Sequence, residues 1–142
     1  HNNICVLTIL CDALYNMRNG GEMMDKRDEI VSNLTLELRR GTLILSVLSQ
    51  LFVPQYGYSL IQCLNASGVQ IDIGTIYPLL RRLEKQGLLE SVWEVGESRP
   101  RRYYKISEDG KVVYGILCEE WFRMSKSVER LINGGEDQDG AD

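Results

Sequence analysis

Apolar residues recur at helical spacing three times before residue 88, and the pattern then changes to short extended runs. Leu43, Ile44, Val47, Leu48, Leu51 and Phe52 repeat every third or fourth position, which predicts one helix within 36–52 with a broad apolar face. Pro54 is its expected end. A shorter helix follows in YGYSLIQCLNASG (56–68), with Leu60, Ile61 and Leu64 on one side and Gly68 as its stop. A third begins around GTIYPLL. Pro78 has no N–H and is tolerated in a first helical turn, where that donor would be unpaired anyway. Thr75 as N-cap puts Pro78 at the third helical position, and Asp72 is the alternative cap for an earlier start. Ile76, Leu79, Leu80 and Leu83 form the predicted buried stripe, Arg81, Arg82 and Lys85 lie towards the other side, and Gly87 suits the exit.

LLESVWEV (88–95) and RRYYKI (101–106) read as two strands, joined by GESRP (96–100). Tyr104 alternates inward with Ile106, and Trp93 is expected to pack rather than stack. Three helices followed by a hairpin give a mainly α fold with a β-hairpin, a winged helix-turn-helix over 36–106. Ser107 then caps a last helix over 107–132, whose first turn carries Glu108 and Asp109. Along it Tyr114, Leu117, Trp121, Met124, Val128 and Leu131 follow 3-4-3-4-3 spacing. This is a short heptad seam of the kind that joins two helices. It predicts a C-terminal dimerisation helix, the alternative being a helix packed back on its own domain. Residues 133–142 form an acidic, solvated tail. Residues 1–30 are an N-terminal extension with no assigned role; Met23 and Met24 offer a start for the chain, and an extra element packed on a neighbouring subunit is the alternative.

Composition narrows the class. A chain of 142 residues, 44% hydrophobic and 25% charged, suits one soluble domain with its own core. No apolar run reaches the ~18 residues of a membrane span, and the N-terminus lacks the basic region of a signal peptide. Cys5, Cys11, Cys63 and Cys118 are scattered without a CxxC pair, which fits reduced thiols in a cytoplasmic setting. Cys63 and Cys118 read as buried small apolar residues or, alternatively, as a thiol sensor. The one histidine is His1, so His-based triads and Cys/His zinc sites are excluded, and no metal, cofactor or enzymatic activity is implied.

The formal net charge is −4, but it is unevenly spread. Acid concentrates in EMMDKRDE (22–29) and EDQDGAD (136–142). Within 74–107 seven bases (Arg81, Arg82, Lys85, Arg99, Arg101, Arg102, Lys105) face only four acids, Glu84, Glu90, Glu94 and Glu97. Double-stranded DNA is the partner such a surface fits, since affinity for it comes largely from neutralised phosphates. Thr75, Tyr77, Arg81 and Arg82 on the third helix, with Arg99, Arg101 and Arg102 beside the hairpin turn, are the candidate contacts. The helix N-terminus adds free N–H groups, and Tyr56, Tyr58 and Tyr77 add hydroxyls. Each has a plainer reading: Arg81 and Arg82 as a solvated face beside Glu84, Tyr77 as half core. A winged helix that binds protein and not DNA is the alternative from another class.

RRGTLILSVLSQL, YGYSLIQCL, GTIYPLLRRLEKQGLLES and RPRRYYKISEDGK together resemble the PadR family of transcriptional regulators over roughly residues 36–132. The resemblance implies a cytoplasmic homodimeric repressor on a palindromic operator, released by a small molecule, and here similar to the small subfamily lacking a long C-terminal helical region. It places Tyr56, Gly57 and Tyr58 at the DNA-facing start of the second helix. Thr75, Tyr77 and Pro78 fall at the start of the recognition helix, and Arg99 to Arg102 in the wing. The first and last helices then form the dimer interface, and Trp121 there is a candidate wall for an aromatic effector or simply a packed heptad residue.

Overall fold

The computed structural model describes residues 25–96 and 99–134. The stretch 1–24, Glu97 and Ser98 of the hairpin turn, and 135–142 with the acidic tail lie outside the described residues. The elements run α1 (Lys26–Arg40), α2 (Leu43–Ser49), β1 (Gln55–Tyr56), α3 (Gly57–Ala66), α4 (Ile73–Lys85), β2 (Leu89–Glu94), β3 (Arg101–Ile106) and α5 (Glu108–Ile132). The fold is mostly helical with one small antiparallel sheet. Two units separate: residues 41–124, and 25–40 with 125–134.

The helix predicted over 36–52 is broken at Gly41 and Thr42. Glycine in a helix interior costs about 1 kcal/mol relative to alanine, and the Thr42 carbonyl opens α2 instead, accepting from the Ser46 amide (3.0 Å) and the Ser46 hydroxyl (3.1 Å). The helix also stops at Ser49, five residues short of Pro54. Pro54 has no N–H for the Gln50 carbonyl; the Gln55 side-chain amide donates to it instead (2.7 Å). The next carbonyl, of Leu51, accepts from the Ile106 amide (2.8 Å), which ties the end of α2 to the sheet.

Unit 41–124 holds the core. Val47, Leu48 and Leu51 meet Leu60, Ile61 and Leu64 of α3, the stripe Ile76, Leu79, Leu80 and Leu83 of α4, and Leu89, Tyr104 and Ile106 of the sheet. α3 and α4 exit alike: after α4 the Gly87 amide returns to the Glu84 carbonyl and Leu88 to Leu83, with Gly87 at φ +81°. That left-handed step is where glycine avoids the Cβ penalty. It turns the chain at once into β2.

The sheet order is β1-β3-β2. β1 is an addition to the predicted hairpin: Gln55 and Tyr56 pair with Tyr104 and Tyr103, so Tyr56 ends a strand and caps α3 rather than opening the helix. β2 and β3 pair from Leu89↔Ile106 to Glu94↔Arg101. One hydroxyl fixes the entry to α5: Ser107 Oγ donates to the Gly87 carbonyl (2.6 Å) and accepts from the Gly110 amide (2.9 Å).

The seam on α5 divides. Tyr114 and Leu117 pack against the core of their own unit, with the Tyr114 ring edge-on to Phe52 at 5.3 Å. Trp121, Met124, Val128 and Leu131 stay exposed, Leu131 at 80%. α1 buries no residue at all; Ile30, Val31, Leu34 and Leu38 are exposed along it. The thiols differ from expectation too. Neither is buried: Cys63 is exposed and Cys118 half-buried. Cys118 beside it, and burial after that, hold the Tyr114 phenol above its usual range.

Candidate nucleic-acid interface

Asp72, not Thr75, caps α4: its carboxylate accepts the Thr75 amide at 2.8 Å. The earlier start moves Pro78 out of the first turn to the sixth helical position, leaving the Gly74 carbonyl without its i+4 donor. It also puts a carboxylate where free N–H groups would have met a phosphate, so the helix N-terminus is already partly satisfied. Thr75 and Pro78 are exposed, and Arg81 and Arg82 follow one turn on, also exposed. Glu84 does not pair with either of them.

Tyr77 is half-buried because its ring lies over the start of α3. A Cβ on Gly57 would stand 2.6 Å from the Tyr77 ring and hydroxyl, so only glycine fits there without displacing the ring. Gly57 is therefore buried beneath Tyr77 and offers no surface to a partner, while its neighbour Tyr58 is 54% exposed. This contact seats the second helix of the helix-turn-helix against the third.

The hairpin arginines separate into two kinds. Arg99 is exposed beside Pro100. Arg101 is exposed as well, with its guanidinium carbon 4.9 Å from the Tyr56 ring centroid; that ring meets Tyr103 edge-on at 5.7 Å. Tyr56 is thereby half-buried and props Arg101 outward from the other strand. Arg102 behaves otherwise. Its Nη2 donates to Glu84 Oε1 (2.5 Å) and its Nε to Ser91 Oγ (3.0 Å). Its guanidinium lies 5.7 Å from the Trp93 ring and 5.3 Å from Tyr104. Trp93, expected to pack, is 58% exposed and serves as the platform for Arg102. Burial raises the Tyr104 phenol above its ordinary pKa, with Arg102 pulling the other way.

Spacing alone leaves the three wing arginines alike and does not mark the Glu84–Arg102 pair. The signal was present in the period of two. Arg102, Tyr104 and Ile106 share one face of β3, and the latter two point inward by that alternation.

A helix-turn-helix whose third helix leads straight into a β-hairpin defines a winged-helix protein, and its exposed cations line that helix and the hairpin. The chain belongs to the Transcriptional regulator PadR-like family, whose family model matches residues 44–115. A transcriptional regulator of Mycobacterium tuberculosis is 41% identical over 79 residues, 56% of this chain and 71% of that one. Among solved structures, a PadR family transcriptional regulator from Eggerthella lenta superposes with a TM-score of 0.72 at 47% identity, covering 75% of this chain and 95% of that one. A PadR-like transcription factor from Bacteroides fragilis gives 0.59 at 32% identity, covering 70% and 98%. These three relatives are named as transcriptional regulators or a transcription factor, and among the described residues no helix is long and apolar enough to cross a membrane.

Proposed function

We propose that the chain represses transcription as a cytoplasmic homodimer on a palindromic operator, with α4 in the major groove and the hairpin tip along the neighbouring phosphates. The observation that carries the reading is the set of exposed cations Arg81, Arg82, Arg99 and Arg101 around α4 and the wing, beside exposed Thr75 and Tyr58. Dimer symmetry puts the half-sites about 10 base pairs apart. Support for the dimer comes from the uncovered apolar residues of α1 and of α5 beyond Leu117.

The test is a salt series on the DNA upstream of the gene. With six to eight phosphates neutralised per dimer, log K falls against log salt with a slope of roughly −5 to −7. Arg99→Ala with Arg101→Ala flattens that slope by roughly 3 to 4 units per dimer in a folded protein. An unchanged slope sinks the wing assignment. No specific shift at any salt, with or without reductant, favours the protein-binding alternative.

Release by a small aromatic molecule completes the reading. Trp121 is 42% exposed in the run that would meet the second copy. Planar aromatics should quench tryptophan emission, and Trp121→Ala should abolish the response. If the response survives, the effector does not bind at Trp121.

A further inference from the structure

The base of the hairpin is held by the core, through Leu89 and Ile106. Beyond Ser91 it leaves that support: Val92 is 68% exposed, Trp93 58% and Val95 89%. At that level β1 still pairs with β3 at Tyr103, and among the described residues the ion pair that ties the hairpin back to α4 is Arg102 with Glu84, both side chains about one-third exposed or less (32% and 28%). The guanidinium is used on several sides. One N–H meets the carboxylate, another the Ser91 hydroxyl, and its faces lie against Trp93 and Tyr104. The far carboxylate oxygen, Glu84 Oε2, is buried and has no hydrogen-bond partner among the described residues. Removing Arg102 leaves that carboxylate short of its compensating charge.

We propose that Glu84 and Arg102 are a positioning pair that fixes the angle of the wing relative to α4, and that Arg102, unlike Arg99 and Arg101, neutralises no phosphate. The proposal rests on the DNA-binding reading above. It makes a prediction of unusual sign. Glu84 is an acid on the same helix as Arg81 and Arg82, so by charge alone its loss should strengthen DNA binding. As a wing strap, its loss should weaken binding.

The experiment compares the full chain with Glu84→Gln, Arg102→Met, Arg102→Lys and the Glu84→Gln/Arg102→Met double variant. Affinity for the upstream duplex is read across a salt series, after circular dichroism confirms that each is folded. Glu84→Gln and Arg102→Met should each weaken binding about tenfold with the salt slope unchanged, and the double variant should be no weaker than either single one, the signature of one shared interaction. Arg102→Lys should fail like Arg102→Met, because lysine lacks the planar fork that reaches Glu84 and Ser91 together. Tighter or equal binding by Glu84→Gln overturns the proposal. So does a slope reduced by Arg102→Met, which makes Arg102 a charge on phosphate, or full function in Arg102→Lys, which makes the two-point contact to Glu84 and Ser91 dispensable.

Amide hydrogen exchange of residues 92–94 and 101–103 in the free protein keeps the two readings apart. Faster exchange in Glu84→Gln supports the strap even if the wild-type chain binds no duplex, an outcome that sinks the proposed function alone. Unchanged exchange overturns the strap.

Discussion

A single missing Cβ governs how the helix-turn-helix is assembled. Gly57 lets the Tyr77 ring lie directly on the start of α3, so Gly57→Ala must push that ring aside at a cost of about 1–2 kcal/mol. In a Tyr77→Leu background the collision is gone, and the same change should be near neutral. Additive losses in urea midpoints would place the strain elsewhere. Tyr104 makes a different prediction. Its buried phenol ionises later in the folded protein than in the unfolded chain. The stability it contributes is therefore whole below the unfolded phenol range and is lost as pH rises above about 10. Thermal melts between pH 8 and 11 should show a steeper alkaline fall for the wild type than for Tyr104→Phe; equal falls would refute the shift.

At the scale of elements, apolar periodicity was enough to locate what packs. The stripe on α4, the apolar side of α3 and the β3 strand were all legible, because each repeats at the period of its own element. What escaped were features made by polar groups meeting across elements. The break at Gly41 and Thr42 follows from which carbonyls find donors. β1 exists because Gln55 and Tyr56 find partners on β3, a pairing that a two-residue strand leaves unmarked in sequence. The start of α4 turned on whether Asp72 or Thr75 supplied the cap, and both are good caps. Arg102 is illegible for a related reason: the acid that answers it lies eighteen positions earlier, on another element.

At the scale of the molecule, the question is what covers α1 and the outer part of α5. A fifteen-residue helix with no buried residue is marginal in water on propensity alone. Carboxylates placed in the exposed run, as Met124→Glu with Val128→Glu, should leave residues 41–124 folded and yield a monomer by sedimentation, together with loss of the operator shift. A variant that still sediments as a dimer would move the interface off this helix. One more consequence concerns β2, the outer strand of the sheet. Among the described residues no strand pairs with its far margin, and with Val92 and Trp93 exposed beside it that margin could take an added strand. Glu90 and Glu94 flank that apolar step, so identical strands laid alongside would bring like charges together. Like charge on an outer strand discourages edge-to-edge pairing of the hairpin with a second copy of itself.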